Sequence, residues 1–264
     1  MAKRTIVVGD IHGCYRELML LLEKVKYDET NDALIGAGDL VDRGPESARV
    51  VKFFREQNKR TDGLAQCVLG NHDDKHFRYF KHALKRREHP NYRIPMKPFS
   101  MDKLVAYNSM EDEDLMFLGE LPALIHLEAQ DWVVVHAGLE PGKSLDIQNV
   151  GKVSHIRFLD PVSLKTVSLD DNYMPPPGSV YWTERYDLPH NVVYGHNVHS
   201  LGAPEVVRKP NGAQLVGLDT GCCFGGNLTA FFVPDTKDEP VTPDHFVSVQ
   251  ASRAYSRSVI FAGD

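Results

Sequence analysis

The chain has 264 residues, of which 42% are hydrophobic and 25% are charged, and its formal net charge is −6. This length supports a substantial core in one or two domains, and the negative charge argues against a general nucleic-acid or membrane-surface binder, because such proteins display a net basic face. No apolar run approaches the roughly 20 residues that cross a bilayer, and the start lacks a signal-peptide core, so we expect a cytoplasmic protein with no membrane and no sequence-specific DNA partner.

Short apolar runs that end in glycine recur along the chain. They are TIVVGD, ALIGAGD, LAQCVLGNHD, WVVVHAG, NVVYGHN and QLVGLDTG. Residues 16–25 and 46–57 carry helical periodicity between the first three runs. Strands that alternate with helices predict an α/β layered fold, and the scarcity of helices between the later runs predicts a mixed sheet.

Two segments interrupt this pattern. Residues 75–93 form a basic amphipathic stretch in which Phe77, Phe80, Ala83 and Leu84 share one helical face. We interpret it as part of a helical insertion near the site, the alternative being an ordinary solvated helix. Residues 170–190 contain three consecutive prolines and predict an irregular loop. This loop carries three aromatic residues, Tyr173, Tyr181 and Trp182.

Five of the strand ends carry residues of the types that can bind metals. These are Asp10 and His12 in GDIHG, Asp39 and Asp42 in GDLVDRG, Asn71 and His72 in GNHD, His136 in HAG, and His196 in GHN. Carboxylates, amides and imidazoles suit manganese, iron or zinc rather than a thiolate-rich structural zinc site. Glycine beside each motif lets several loops approach one point. Two metals bridged by one carboxylate activate water and clamp phosphoryl oxygens, so the pattern predicts hydrolysis of phosphoester or phosphoanhydride bonds.

The order of these motifs resembles the phosphoprotein phosphatase branch of the calcineurin-like metallophosphoesterases, over residues 6 to about 233. The resemblance implies an α/β fold with a central double β-sheet sandwich flanked by helices, and with the ligands on loops at the sheet edges. We therefore expect a single metallophosphoesterase domain at 1–235 with a helical cap insertion at about 75–115. Residues 236–264 would be a C-terminal extension of that domain.

The resemblance also implies a role for each motif residue. The expected metal ligands are Asp10, His12, Asp39, Asn71, His136 and His196, with Asp39 bridging two divalent ions. We favour Mn²⁺, with Fe, Zn, Co and Ni as alternatives. His72 would protonate the leaving-group oxygen, oriented by Asp42. Arg43, and Arg157 in SHIRFLD, would bind phosphate oxygens, the alternative for each being a surface ion pair.

The motifs leave the substrate open, and two classes of enzyme fit them. GNHD has aspartate where eukaryotic protein phosphatases usually carry glutamate, and LDTGCCFGGNLTA at 218–230 resembles bacterial symmetrical diadenosine tetraphosphatases and the phosphatase module of RNA-repair enzymes. The basic stretch 75–93 would hold extra phosphates and the aromatic loop would stack a nucleobase, which favours a nucleotide polyphosphate or a nucleic-acid end. The alternative is a small prokaryotic or phage-type serine/threonine protein phosphatase. A third reading is an inactive metal-binding scaffold.

Overall fold

Two five-stranded sheets form the centre of the molecule. The structure is a computed structural model that describes residues 4–170 and 174–257. Its strands are β1 (Arg4–Val8), β2 (Asp32–Gly36), β3 (Ala65–Cys67), β4 (Leu124–Leu127), β5 (Trp132–Val135), β6 (Phe158–Leu159), β7 (Val180–Tyr181), β8 (Asn191–Tyr194), β9 (Glu205–Arg208), β10 (Gln214–Gly217), β11 (Asn227–Phe232) and β12 (Phe246–Gln250). The first sheet has the order β12-β11-β1-β2-β3 and the second β4-β5-β8-β10-β9. Both contain parallel and antiparallel pairs, as predicted.

The two sheets pack face to face, which explains why central strands such as β1 and β5 contain continuous runs of apolar residues. Along β1, Val7 faces the core between the sheets, whereas Ile6 and Val8 face the core on the helical side. Val134 on β5 likewise points into the inter-sheet core and Val133 away from it. Side chains of a strand alternate between faces, so a strand that is covered on both faces is a continuous apolar run. The expected double-sheet sandwich is confirmed.

The parallel strands end in register. Val8 pairs with Gly36, and Gly36 pairs with Cys67. In the second sheet Val134 and Val216 both pair with Val193. Parallel strands in register deliver the loops that follow them to one edge of a sheet. The GDIHG, GDLVDRG and GNHD loops therefore leave the first sheet together, and the HAG, GHN and LDTG loops leave the second sheet together.

Helices cover the outer face of the first sheet. They are α1 (Tyr15–Lys24), α2 (Ser47–Arg60), α3 (Asn71–Glu88), α4 (Met101–Asn108) and α5 (Asp112–Glu120), and a short helix, α6 (Val150–Val153), follows the HAG loop. Among the described residues, no helix is long and apolar enough to cross a membrane.

The predicted insertion corresponds to α3, α4 and α5, and these helices share the main core. Phe80, Tyr107 and Leu118 belong to the same buried cluster as residues of α1, α2 and β1. Phe77, Ala83 and Leu84 pack against that cluster, so the helical face predicted from the sequence is the face that packs. The residues after Asp235, for which the sequence predicts no element, include β12 at the edge of the first sheet. The domain boundary at residue 235 stays a prediction.

We expect Phe80→Ala to lower the free energy of unfolding by about 3 kcal/mol, because it leaves a cavity in the shared core. The control Arg86→Ala, on the exposed end of the same helix, should change that free energy by less than about 0.5 kcal/mol. Urea denaturation followed by circular dichroism measures both. A separate early transition in Phe80→Ala, with the main transition unshifted, would show that the three helices fold as an independent cap.

Candidate metal centre

The loops of the two sheets meet around the carboxylate of Asp39. Its Oδ2 lies 3.3 Å from Nε2 of His12, in the first sheet's loops, and its Oδ1 lies 3.3 Å from Nε2 of His136, in the second sheet's. The Asn71 amide oxygen lies 3.1 Å from the same Nε2 of His136, and the His196 ring centroid is 4.9 Å from that of His136. One carboxylate thus faces two sets of nitrogen and oxygen atoms through its two oxygens.

Backbone carbonyls fix the orientation of two of these imidazoles. His12 donates from Nδ1 to the carbonyl of Val41 at 2.8 Å, and His136 donates from Nδ1 to the carbonyl of Ala37 at 2.8 Å. A carbonyl accepts only, so Nδ1 of each ring is a donor, and Nε2 is the nitrogen that faces Asp39. Metal-binding histidines are oriented in this way by an outer hydrogen bond.

The backbone at the centre is strained. Five predicted site residues adopt left-handed φ angles: His12 (45°), Asp39 (50°), Asp42 (71°), Arg43 (68°) and His196 (69°). Such angles cost about 1–3 kcal/mol each in residues other than glycine and are typical of functional sites. They turn the chain sharply after each strand and return these side chains toward one point.

Close packing of the loops requires glycine at Gly195. The Asp10 carboxylate accepts the N–H of His196 at 3.0 Å and lies so near Gly195 that a methyl group there would overlap it. The GHN loop therefore contacts the GDIHG loop directly. All six predicted ligand residues lie in this region, on loops from both sheets.

Three buried carboxyl groups lie at the centre, those of Asp10, Asp39 and Asp219. Burial raises the pKa of Asp10 well above its usual value, and the charge of Asp219 raises it further. Burial also raises the pKa of Asp219. Burial opposes ionisation of Asp39 as well, but the nearby His136, His72 and His12 outweigh it and hold its pKa well below the usual value. Asp219 was not among the predicted site residues, although QLVGLDTG has the same pattern of an apolar strand followed by an acid.

His72 and Asp42 form a pair beside this centre. His72 donates from Nδ1 to Oδ2 of Asp42 at 2.6 Å, and its Nε2 lies 4.0 Å from Asp39. His76 donates from Nε2 to the other oxygen of Asp42 at 2.7 Å, and Lys103 Nζ lies 3.0 Å from Oδ2. Burial raises the pKa of Asp42, but the hydrogen bonds from His72 and His76 outweigh it and hold the pKa far below its usual range.

The sequence analysis did not identify His76 or Lys103. His76 follows His72 by four residues on α3, a spacing that places two side chains on one face of a helix, so the pattern HDDKH contained a usable signal. Lys103 carries no such signal, because it reaches Asp42 only through the packing of α4. Asp73, next to His72, links the two loops that carry the pair. Its carboxylate accepts hydrogen bonds from the N–H of Leu40 at 2.9 Å, in the GDLVDRG loop, and from the N–H of Gly70 at 3.1 Å, in the GNHD loop.

Both predicted arginines lie next to the centre. Arg43 stacks over the Phe224 ring at 4.9 Å and lines a cavity of ≈ 850 Å³ together with Asp42 and His72. Arg157 donates from Nη2 to the carbonyl of His196 at 3.2 Å. Within residues 4–170 and 174–257, neither guanidinium forms an ion pair with a carboxylate, which argues against the surface ion pair as their role.

Only the first residues of the basic stretch lie near the centre, where His76 contacts Asp42. Lys85, Arg86 and Arg87 lie 13 to 15 residues beyond His72 on α3, which is about 20 Å at roughly 1.5 Å per residue. Arg87 is also engaged by Asp112 at 3.0 Å. This end of the stretch therefore lies too far along the helix to contact a phosphoryl group beside His72, and a role in binding more distant phosphates stays a prediction.

The aromatic loop is also placed differently. Trp182 is fully buried and packs against Gly138 and Tyr194, so the prediction that it stacks a nucleobase is wrong. Tyr181 contacts the rings of Phe158 and His199 and lines a separate cavity of ≈ 600 Å³. Tyr173 lies outside the described residues.

A second cluster of possible metal ligands lies near the opposite ends of β5 and β8. Asp131 accepts hydrogen bonds from His126 at 3.0 Å and from His190, and Lys237 Nζ lies 2.6 Å from its other oxygen. The ammonium group already neutralises this carboxylate. Among the described residues, Asp131 is thus paired with a lysine, whereas the ion-pair partners of Asp39 are histidines.

Comparison with known proteins shows to which family this chain belongs. The model of the calcineurin-like phosphoesterase family matches residues 3–237. The chain is 29% identical to the asymmetrical bis(5'-nucleosyl)-tetraphosphatase PrpE of Bacillus subtilis, over 96% of each chain. It is 29% identical to the symmetrical bis(5'-nucleosyl)-tetraphosphatase of a Shewanella species, over 89% of this chain and 96% of the other.

A crystal structure described as that of a candidate diadenosine tetraphosphatase superimposes with a TM-score of 0.70 at 28% identity, covering 95% of this chain and 96% of the other. A serine/threonine phosphatase structure from Saccharomyces cerevisiae, at 15% identity and a TM-score of 0.51, shares the fold alone. The resemblance predicted from the motif order is confirmed, and the chain belongs to the calcineurin-like phosphoesterase family.

Proposed function

We propose that this phosphoesterase hydrolyses a phosphoanhydride bond in a dinucleoside polyphosphate, with diadenosine tetraphosphate as the representative substrate. The observation that carries the proposal is the similarity to bis(5'-nucleosyl)-tetraphosphatases over nearly the whole length of both chains. The cavity beside His72 supports it, because Arg43, Lys103, Arg253 and Arg257 line it and a polyphosphate chain needs a cationic site longer than a single phosphate.

Two divalent cations fit the residues of the centre. Asp10, His12 and Asp39 would hold one ion, and Asn71, His136 and His196 the other, with Asp39 shared. The fit follows from the donor set itself: buried carboxyl groups of Asp10 and Asp39 lie beside imidazoles whose Nε2 atoms face Asp39. Mixed oxygen and nitrogen donors favour Mn²⁺, with Fe, Zn, Co and Ni as alternatives. Such a pair supplies an activated water and neutralises phosphoryl oxygens.

His72 acts on the leaving group. Its Nδ1 is committed to Asp42, so its exchangeable proton resides on Nε2, the nitrogen that faces the centre. Protonation of the departing phosphate oxygen by Nε2 matters most for a poor leaving group. Asp42 orients the ring and stabilises its charged form, and His76 and Lys103 hold Asp42 in place.

Arg43 and Arg157 bind the non-bridging phosphate oxygens. Their guanidinium groups approach from different loops, Arg43 supported by the Phe224 ring and Arg157 by the His196 carbonyl. Planar guanidinium groups bind two phosphate oxygens at once and so orient the phosphorus as well as neutralise its charge.

Product analysis tests the substrate. Mn²⁺-loaded protein is incubated with diadenosine tetraphosphate and, in parallel, with a phosphoserine peptide. We expect nucleotide products and an intact peptide. Two ADP molecules would indicate symmetrical cleavage, and ATP with AMP asymmetrical cleavage, the two modes that the relatives' names distinguish. Phosphate from the peptide with intact dinucleotide would overturn the proposal in favour of a protein phosphatase, and bound metal without either reaction would indicate a scaffold.

We expect His72→Asn to reduce turnover of a substrate with a poor leaving group, such as phenyl phosphate, about 100-fold, and that of 4-nitrophenyl phosphate much less. The bound metal should be retained. His89→Asn, on an exposed histidine just after the same helix, serves as the matched control and should not change either rate. An equal loss on both substrates in His72→Asn would contradict the assignment of His72 as the general acid.

Asp39→Asn should lower the metal content from about two ions per chain to less than one and abolish turnover, because it removes the charge shared by both sites. Elemental analysis after gel filtration measures the content. Asp131→Asn is the matched control, since Asp131 also lies between two histidines but is neutralised by Lys237. Loss of metal in Asp131→Asn, with full content in Asp39→Asn, would place the metals in the other cluster.

A further inference from the structure

The cavity of ≈ 850 Å³ beside His72 has two walls. One wall consists of Asp42, Arg43 and His72 from the motif loops, and the other is formed by α4 and residues 253–257 near the C-terminus. The second wall lies outside every motif of the sequence. It places Lys103, Arg253 and Arg257 along the same space as the proposed general acid.

The charge of this lining is opposite to that of the chain as a whole. Four cationic side chains, those of Arg43, Lys103, Arg253 and Arg257, line the cavity, and its described carboxylates are those of Asp42 and Asp102. Asp42 is already engaged by His72, His76 and Lys103. The cavity therefore has a net positive lining in a protein of net charge −6. Ser47, Ser100, Ser109 and Ser256 add hydroxyl groups to it. Cations with hydroxyl donors are a typical environment for phosphate groups.

The C-terminal segment is anchored by a buried acid. Glu17 on α1 is 1% exposed, and its Oε1 accepts the N–H of Ser252 at 3.1 Å and the hydroxyl of Tyr255 at 2.8 Å. The Ser252 hydroxyl donates to the same oxygen at 3.2 Å. These contacts join residues more than 230 positions apart, and they hold both ends of the turn that contains Arg253. The Arg253 guanidinium packs over the Tyr255 ring at 5.2 Å.

The same segment is coupled to Arg43. Tyr255 and Ser256 donate their N–H groups to the carbonyl of Cys223 at 2.8 and 2.9 Å. The next residue, Phe224, carries the ring on which Arg43 stacks and forms a β-bridge with Ala254. The position of Arg43 and the positions of Arg253 and Arg257 thus depend on one short stretch, Cys223–Phe224.

We infer that the cavity is a binding site for the distal phosphates of a polyphosphate chain, in which Lys103, Arg253 and Arg257 determine specificity for polyphosphates over phosphomonoesters. The inference rests on the proposed function for the identity of the substrate. Arg43 contacts the phosphoryl group that reacts, and the cations of the second wall hold the phosphates beyond it. Glu17 is a positioning residue that keeps the C-terminal segment in the wall.

The test uses inhibition, so that it does not require hydrolysis of a dinucleotide. Inorganic tripolyphosphate and inorganic phosphate are compared as competitive inhibitors of 4-nitrophenyl phosphate hydrolysis by the Mn²⁺-loaded full chain. In the double variant Arg253→Gln/Arg257→Gln we expect the inhibition constant for tripolyphosphate to rise about tenfold more than that for phosphate. The matched control Lys85→Gln/Arg86→Gln removes two positive charges from the far end of α3 and should leave both constants unchanged.

The results distinguish failure of the proposed substrate from failure of the proposed polyphosphate site. If diadenosine tetraphosphate is not hydrolysed but the double variant loses tripolyphosphate inhibition selectively, the proposed substrate fails and the polyphosphate site stands. If the dinucleotide is hydrolysed but the two inhibition constants rise equally or not at all, the inference about this cavity is overturned. The same selective rise in the control would also overturn it, because it would show that net charge alone is responsible.

Glu17→Gln tests the anchoring role, because it keeps the shape of the side chain and weakens its hydrogen bonds to Ser252 and Tyr255. We expect the selective loss of tripolyphosphate inhibition with the arginines still present, and faster proteolysis after Arg253 or Arg257 by trypsin. Unchanged proteolysis and unchanged selectivity would remove Glu17 from the proposal.

Discussion

The buried carboxylate of Asp39 is the point on which the arrangement of the site depends. It lies between His12, from a loop of the first sheet, and His136, from a loop of the second. Neither sheet alone could form this contact. The packing of the inter-sheet core, with Val7, Ile35 and Val134 among its residues, therefore sets the distance between the two halves of the centre.

The same constraint explains the strained backbone. Loops that leave two sheets and return to one carboxylate must turn within a few residues of each strand, and left-handed φ angles at Asp39 and His196 provide these turns. Strain of this kind persists only where the surroundings over-determine it, as the sandwich core and the outer hydrogen bonds of His12 and His136 do here. The stability of the scaffold thus offsets the strain energy of a preorganised centre.

The proposed metal centre and the proposed polyphosphate site come from different parts of the chain. The motif loops contain the candidate metal ligands and the His72–Asp42 pair, whereas the wall opposite them comes from α4 and residues 253–257. A buried acid in the first helix, Glu17, holds that segment in place. A substitution in this wall therefore changes the lining of the cavity without altering the motif loops.

The sequence by itself determined six of the strands, the fold class and the family, because apolar runs that end in glycine and an acid or histidine are local patterns. It also contained the His72–His76 spacing. Only the tertiary structure decided which charges face the site. The basic end of α3 carries a cluster of cations but lies about 20 Å from His72 along the helix. Trp182 is buried in the core. Lys103, Arg253 and Arg257 reach the cavity instead, because packing between distant segments, which leaves no local signal, determines where a side chain points.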